Sequence, residues 1–446
     1  MSMIDAMIVS RFDPILMICA QPREACIGLI GSLPRFALAR CALWLVLVLM
    51  VLSGCSQNSK CEIGLCPIGT ECDSGSGKCV EITAKAPNAP KLRGAYAVVA
   101  LPGLSRAFLG YASAEQSLVW IEQQGAKIKT QFIAGPAAGD GPGPQGQVCA
   151  AVAAANGDVH IVWISDKEQT LWYGLRTQGR WKRTRIDAVP PKRAARHVAI
   201  TLFQGAPLIA FEDEINGGVS VVTRDDKGVF SVETVPLPTG ANVVLQGDLS
   251  LVGGLSGVTL GMYDAIEGDL LLASRSSTGW KTARFAGNEP NMGSDAGLPV
   301  VLGRDLAGGL LVAWRDRTRN EVMLARSVGG KVQKSVITDG LYAVENRQIS
   351  RRKIVGTALA IAVLPNGRSV VAVQDASQAR IVVATEQANG QFKAAIMPTS
   401  DRAQFRPKLI GQVDGTVLVS WLEIDPNGSG EGRLTTWILT QPGESP

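Results

Sequence analysis

The sequence is poor in the residues and motifs on which common catalytic sites depend. It contains only two histidines, His160 and His197, in 446 residues. It lacks both the Gly-x-Ser-x-Gly turn of serine hydrolases and the phosphate loop of nucleotide-binding enzymes. Histidines in strand-like surroundings more often satisfy a structural hydrogen bond than act as a base or a metal ligand. We therefore predict no catalytic residue, no metal site and no cofactor.

The apolar run near the start of the chain is too short to cross a membrane as a helix. It covers residues 41–52 and follows Arg35 and Arg40. A membrane-spanning helix needs about 20 apolar residues. The run ends in the tetrapeptide Leu52-Ser53-Gly54-Cys55.

This order of basic residues, apolar run and small residues before a cysteine resembles the lipobox of bacterial lipoprotein precursors. The resemblance implies cleavage before Cys55 and lipidation of its thiol and new amino group. Residues 1–54 are then a signal peptide with a misassigned N-terminal extension. Several acyl chains anchor a protein durably, so the mature chain is expected to stay on a membrane. Ser56 is not acidic, which by the usual sorting rule implies the outer membrane.

Cysteine usage agrees with export. Four cysteines fall within residues 55–79, a segment with too little apolar side chain to form its own core: Cys61, Cys66, Cys72 and Cys79. We expect two disulfides to hold this tether, in any of three connectivities. Zinc is the competing interpretation, but a Cys-x-x-Cys spacing is missing. Cys149 lies in an alternating apolar segment and is expected to be an inert buried thiol.

The remaining chain repeats an apolar segment that usually ends in an aromatic residue. The segments are 107–111, 161–163, 208–211, 260–263, 310–314, 370–373 and 417–421. Their last residues are 52, 48, 52, 51, 59 and 48 positions apart. Further strand-like segments flank each one, and turn dipeptides such as Asn156-Gly157 and Asn366-Gly367 favour tight hairpins.

Four short antiparallel strands per unit of about 50 residues are typical of a β-propeller blade. The sequence therefore predicts an all-β, seven-bladed β-propeller over residues 80–446. The last unit has no fourth strand of its own before the chain ends. We expect residues 80–84 to supply that strand and to close the ring.

Two segments, 170–181 and 271–280, resemble sialidase-like and fucose-lectin-like propellers. The resemblance implies the fold, but the catalytic chemistry does not follow from it. Sialidases carry Ser-x-Asp-x-Gly-x-Thr-Trp boxes, and the segment Ser276-Ser-Thr-Gly-Trp280 lacks the aspartate. A glycoside-acting, sialidase-like hydrolase is accordingly kept as the alternative function.

Acidic residues recur just after the apolar segments. They are Asp166, Asp213, Asp264, Asp316, Asp375 and Glu423. Aspartate often caps turns by accepting hydrogen bonds from nearby backbone amides, and this is the simplest interpretation. The alternative is a ring of acceptors on one face that binds sugar hydroxyls or calcium.

Basic residues gather in the connections between units. They are Lys192, Arg193 and Arg196, then Arg347, Arg351, Arg352 and Lys353, then Arg402 and Arg406. They are either solvated loop charges or a patch for an anionic polysaccharide or lipid. Nucleic acid is an unlikely partner because aromatic residues are scarce among them. The sequence as a whole predicts an envelope lipoprotein whose propeller binds a carbohydrate or an envelope protein.

Overall fold

The computed structural model describes the chain in segments that belong to one unit, Cys61–Pro446. They are residues 70–73, 78–81, 89–103, 105–125, 127–241, 243, 249–254, 257–276, 278–287, 295–328, 331–338, 355–397, 402–412, 414–424 and 430–439. The predictions on the signal peptide and on Cys55, Cys61 and Cys66 lie outside these residues. So do those on Arg347, Arg351, Arg352 and Lys353.

The described chain is built almost entirely of antiparallel β-strands. Strands β1 (Thr70–Asp73) and β2 (Lys78–Glu81) form a hairpin, and the strands after it fall into successive repeats that we number I to VII. A single turn of 3-10 helix, Pro136–Ala138, occurs among the described residues.

Repeat I contains β3 (Leu92–Ala100), β4 (Arg106–Ala112), β5 (Ser117–Gln124) and β6 (Lys127–Ala134). Repeat II contains β7 (Gln145–Ala153), β8 (Val159–Ser165), β9 (Thr170–Thr177) and β10 (Arg180–Arg185). Repeat III contains β11 (Ala194–Phe203), β12 (Ala206–Asp213), β13 (Val219–Arg224) and β14 (Phe230–Thr234). Repeat IV contains β15 (Ser250–Gly254), β16 (Gly257–Asp264), β17 (Asp269–Ser276) and β18 (Gly279–Ala286). Repeat V contains β19 (Ala296–Arg304), β20 (Leu310–Asp316), β21 (Glu321–Val328) and β22 (Lys331–Thr338). Repeat VI contains β23 (Val355–Val363), β24 (Ser369–Asp375), β25 (Arg380–Glu386) and β26 (Phe392–Ile396). Repeat VII contains β27 (Ala403–Gly411), β28 (Val417–Ile424) and β29 (Gly432–Leu439).

Each repeat is an antiparallel sheet whose strands pair in chain order. The apolar segments singled out in the sequence lie in the second strand of each sheet, and the strand-like segments that flank them form the neighbouring strands. The prediction of an all-β fold made of repeated four-stranded antiparallel units is confirmed.

The second strands are buried on both faces. Every residue of β8, β16 and β24 is buried, although successive side chains along a strand point to opposite faces of the sheet. A sheet can bury both faces of a strand only if another layer covers each side. Each repeat therefore needs a neighbour on either side.

The first strands of neighbouring repeats contact each other in cyclic order. β3, β7, β11, β15, β19, β23 and β27 each contact the next, and β27 contacts β3. The last and first repeats are also joined directly, because Gly432 of β29 pairs with Leu92 of β3. This closed arrangement of sheets is propeller-like.

The antiparallel order sends alternate loops to opposite faces of the ring. We call the face that carries the turns between second and third strands the upper face; it also carries the connections into each first strand. The lower face carries the turns between first and second strands and between third and fourth strands. The predicted ligand-binding residues that the structure describes belong to the upper face; they are Asp166, Asp213, Asp264, Asp316, Asp375, Arg193 and Arg196.

Irregularities recur where the first strands begin at the upper face. The pairing of first and second strands shifts register in repeats I, II, III, V, VI and VII, for example between Gln145 and Cys149 and between Ala296 and Val300. Such bulges bend a strand and re-aim its side chains. Gly146 and Gly297 supply the positive φ that the bulge requires in repeats II and V, at +86° and +118°.

The predicted closing strand is wrong in its described part. Val80 is the partner of Glu71, and Glu81 is the partner of Thr70, within the β1–β2 hairpin. A short turn allows β2 to pair with its chain neighbour at lower entropic cost than with a strand more than 350 residues away. β29 pairs with β28 and, at one position, with β3. Residues 82–84 lie outside the described part of the chain.

Replacing Gly297 with alanine should destabilise the packing of repeat V against repeat IV. A Cβ there would lie 2.8 Å from Leu270 Cβ and 3.0 Å from Leu270 Cα, at a φ of +118°. Backbone strain and overpacking together should lower the free energy of unfolding by about 3 kcal/mol. Gly308→Ala is the matched control, because its φ is +83° but nothing lies within 4 Å of the added carbon. Thermal unfolding measures both variants, and equal losses would refute the proposed close approach.

Candidate functional site

Four of the predicted ligand-binding aspartates cap turns at the upper face. Asp213, Asp264, Asp316 and Asp375 end the second strands and are buried. Each carboxylate accepts a hydrogen bond from a backbone amide two or three residues further on, as in Ser377 N to Asp375 Oδ1 at 3.1 Å. These aspartates hold the turns in shape, as the simpler interpretation of the sequence predicted.

Asp213 shows how strongly such a cap is held. Arg193, another predicted ligand residue, donates from Nε and Nη2 to Asp213 Oδ2 at 2.9 and 2.8 Å. Ser220 and Asn216 donate to the same carboxylate. Burial alone would raise the pKa of Asp213, but these hydrogen bonds outweigh burial and lower the pKa to about 2. Arg193 and Asp213 thus form a structural ion pair.

Asp166 stands apart from the other aspartates. It lies one position beyond the strand end and accepts a hydrogen bond from the backbone amide of Gln147, in the bulge of β7, at 3.3 Å. Burial raises the pKa of its carboxyl. The pKa of Tyr111, in the neighbouring repeat, is raised first by burial and then by the charge of Asp166. Asp166 therefore contacts the junction of repeats I and II.

Arg196 and His197 occupy the bulge of repeat III. The side chain of Arg196 is exposed, and its backbone amide donates to Glu212 Oε2 at 3.2 Å. His197 Nδ1 lies 3.0 Å from the same oxygen. The hydrogen bond from His197 is the main reason why the pKa of Glu212 is lowered. Among the described residues of the predicted basic patch, Arg193 is bonded to Asp213, whereas the side chains of Lys192, Arg196, Arg402 and Arg406 are exposed.

A second constellation, which the sequence analysis missed, lies at the lower face. Arginines lie near the lower end of the third strand in repeats II, III, IV and V. They are Arg176, Arg224, Arg275 and Arg326, spaced 48, 51 and 51 residues apart. The signal was present in the sequence as a charged repeat superimposed on the apolar one.

The strand register places an aromatic ring opposite three of these arginines. Trp181 is the partner of Arg176, Phe230 of Arg224 and Trp280 of Arg275 across the turn between third and fourth strands. All three aromatic residues are partly buried. The lower ends of repeats II, III and IV therefore each present a guanidinium beside an aromatic ring.

The junction of repeats I and II combines an arginine, a carboxylate and two indoles. Arg176 forms an ion pair with Glu122 of repeat I. Trp120 Nε1 donates to Glu122 Oε1 at 2.8 Å, and the guanidinium carbon of Arg176 lies 5.7 Å from the Trp120 ring centroid. Trp120 and Trp181 meet edge to face at 5.4 Å. The indole nitrogen of Trp181 is buried without a partner among the described residues.

Arginines also bridge two other junctions. Arg275 Nε lies 2.9 Å from Glu233 Oε1 in repeat III, and both side chains are partly exposed, at 27% and 36%. Arg326 Nη2 lies 2.5 Å from Glu386 Oε2 and 2.7 Å from Ser369 Oγ in repeat VI. Each ion pair joins two repeats that are neighbours in the ring.

Arg224 lies at the junction of repeats II and III beside two aromatic rings, Tyr173 and Phe230, which meet edge to face at 5.6 Å. Its guanidinium carbon is 5.5 Å from the Tyr173 centroid and 5.6 Å from the Phe230 centroid. The Tyr173 hydroxyl lies 2.7 Å from Nδ1 of His160. Burial lowers the pKa of His160 and raises that of Tyr173 to about 12. We call this group of four residues the Arg224 cleft.

The described residues show no group of three or more histidine, cysteine or acidic side chains that could hold a metal ion. They also contain no helix long and apolar enough to span a membrane. Cys149 is buried, as predicted.

Comparison with known proteins identifies the fold and no closer relationship. No protein-family model and no curated protein sequence matches the chain. A solved virginiamycin B lyase from Staphylococcus aureus covers 79% of this chain and 98% of its own, at 12% identity and a TM-score of 0.48. A fucose-binding lectin of Aleuria aurantia covers 70% and 98%, at 13% identity and a TM-score of 0.45. A fungal alcohol oxidase in complex with copper covers 79% and 76%, at 11% identity and a TM-score of 0.50. Such similarity concerns the fold alone.

Replacing Asp213 with asparagine should cost stability at neutral pH and not at very low pH. The folded-state pKa of about 2 lies below the ordinary value, so the carboxylate stabilises the fold above about pH 4 and loses that effect as the pH falls through 2. The shift corresponds to roughly 2 kcal/mol. Unfolding of the wild type and Asp213→Asn between pH 7 and pH 2 measures it.

Asp166→Asn is the control for this experiment. Burial raises the pKa of Asp166, so ionisation of this group opposes folding and the neutral amide should cause no comparable loss at pH 7. A stability difference for Asp213→Asn that does not shrink on acidification would contradict the assignment of Arg193 and Asp213 as an ion pair.

Proposed function

We propose that this chain is a saccharide-binding lipoprotein of the bacterial cell envelope, built as a seven-bladed β-propeller. The cyclic contacts of the first strands and the bridge between β29 and β3 support seven blades, of which repeat VII contributes three described strands. Radial repetition gives such a ring several equivalent clefts between neighbouring blades.

The observation that carries this proposal is the repeated pairing of an arginine with an aromatic ring at blade junctions. A guanidinium donates in a planar fork that matches two neighbouring hydroxyl groups, and a carboxylate such as Glu122 accepts from hydroxyls. An indole or phenyl ring offers an apolar surface to the C–H groups of a sugar ring. Convergent polar groups beside apolar surface are typical of small-ligand sites.

The upper face supports this function less well. Asp213, Asp316 and Asp375 already direct carboxylate oxygens to turn amides. A glycosidase needs two carboxyl groups placed on either side of the scissile bond, one of them with a raised pKa. Burial raises the pKa of Asp166, but the neighbouring groups that act on this carboxyl are backbone amides, such as those of Gln147 and Gly146, rather than a second carboxyl group. A binding module therefore suits the geometry better than the hydrolase alternative.

Protein binding is a second candidate, favoured by two exposed isoleucines. Ile215 and Ile266 are 64% and 63% exposed, and they occupy the same position, two residues after the capping aspartate, in neighbouring repeats III and IV. An envelope protein with a small apolar surface would contact both at once.

An array of immobilised glycans, probed with the full chain purified in detergent, tests saccharide binding. The variant Arg176→Gln/Arg275→Gln should bind its best glycan at least ten-fold more weakly, because it removes the donors of two clefts. Arg185→Gln is the control, since Arg185 is 54% exposed on β10 at the upper end of the strand. Circular dichroism checks that each variant is folded. Unchanged binding by the folded double variant would refute the cleft assignment.

The membrane anchor rests on the lipobox resemblance. Cys55 supplies the thiol for lipid transfer, and the non-acidic Ser56 favours the outer membrane. We expect Cys55→Ser to remain unlipidated and to leave the membrane fraction. Mass spectrometry of the purified variant measures the lipid, and a serine variant that still carries lipid would contradict the proposal.

The hairpin of β1 and β2 favours one of the three possible disulfide connectivities. Cys72 and Cys79 are direct partners in the antiparallel register, a placement compatible with the short Cα separation that a disulfide requires. We propose that Cys72 pairs with Cys79 and Cys61 with Cys66. Peptide mapping without reduction should recover these two linked pairs. Recovery of a Cys61–Cys72 or Cys66–Cys79 link would overturn this connectivity.

A further inference from the structure

The Arg224 cleft differs from the other arginine clefts in its charge. Arg176, Arg275 and Arg326 each pair with a carboxylate of the neighbouring repeat. Within the described chain, Arg224 has no such ion pair, and its buried Nε has no hydrogen-bond partner. Its neighbours at the junction are aromatic rings.

The aromatic partners of Arg224 carry no charge. Burial keeps Tyr173 protonated at neutral pH by raising its pKa to about 12, so the phenol is not an anion. The Tyr173 hydroxyl group lies 2.7 Å from Nδ1 of His160. Burial lowers the pKa of His160, so that this ring is neutral as well.

The acidic residues near the cleft are engaged elsewhere. Asp225 Oδ1 accepts from the amide of Val229 at 2.7 Å and shapes the turn after β13. Asp158 Oδ2 accepts from the side-chain amide of Asn156 at 3.0 Å. The charge of Asp158 acts on both His160 and Tyr173. Among the described residues, these carboxylates form hydrogen bonds with other groups and do not form an ion pair with Arg224.

We propose that the Arg224 cleft recognises the anionic group of an acidic saccharide. This inference rests on the proposed saccharide-binding function and assigns one cleft a different ligand class from its neighbours. The clefts at Arg176 and Arg275 are neutralised by Glu122 and Glu233, which suits them to uncharged hydroxyl groups. At Arg224 the ligand itself supplies the negative partner, and the two rings exclude water around the pair.

Matched polysaccharides that differ only in charge test the proposal. The probes are an array of acidic polysaccharides, including polygalacturonate and alginate, and the methyl ester of each. The full chain in detergent should bind at least one acid form ten-fold or more tightly than its ester. Arg224→Gln should abolish that preference, Arg224→Lys should keep part of it, and Arg185→Gln, at the exposed upper end of β10, should leave it intact. Circular dichroism and thermal unfolding confirm that the variants are folded.

The outcomes separate this inference from the function on which it rests. Equal binding of acid and ester forms, or an acid preference that survives Arg224→Gln, would overturn the anionic assignment while the saccharide-binding function stands. Failure to bind any acidic, esterified or neutral polysaccharide would overturn both. A preference lost equally in Arg224→Gln and Arg185→Gln would show that the charge selectivity does not reside in the Arg224 cleft.

Discussion

Burial of the second strand on both faces is the constraint on which the rest of this fold depends. A strand such as β16, buried at every residue, can exist only between two covering layers. Since the second strand of every repeat is buried along most of its length, no repeat can stand at a free end without exposing apolar surface. A closed ring solves this for all repeats at once, and the contact between β27 and β3 completes it.

The ring also determines where chemistry can occur. The first and second strands pack in the core, so polar side chains collect at the strand ends and in the third and fourth strands. At the upper face they serve the turns, as Asp213 and Asp375 show. At the lower face side chains of neighbouring repeats meet, and Arg176 of β9 forms an ion pair with Glu122 of β5, more than 50 residues away in sequence. The junctions are therefore the places where side chains from two repeats form one site.

Much of the architecture was predictable from the sequence because it follows from local periodicity. Continuous apolar segments at a spacing near 50 residues identified the second strands, and the capping role of Asp213 follows from the chemistry of aspartate at a strand end. The partner of Arg193 and the cleft around Arg224 were not predictable in the same way. They depend on which side chains face each other across a turn or between sheets, and that is settled by register and sheet packing.

The closing strand was predicted wrongly for a related reason. Residues 80–84 have the composition of a strand, but composition does not choose a partner, and Val80 pairs with its neighbour in the same hairpin. The arginine repeat was overlooked because the search followed apolar residues. A search for charged residues at the same period would have found Arg176, Arg224, Arg275 and Arg326.

Hydrogen–deuterium exchange with and without a bound saccharide tests the central claim most directly, because it reports which face of the ring the ligand covers. The lower-face site predicts slower exchange in the turns between third and fourth strands, at residues 177–180, 224–230 and 276–279. The turns after the capping aspartates, at residues 213–218 and 264–268, should exchange at unchanged rates. Protection confined to the aspartate turns would place the ligand on the upper face and contradict the account.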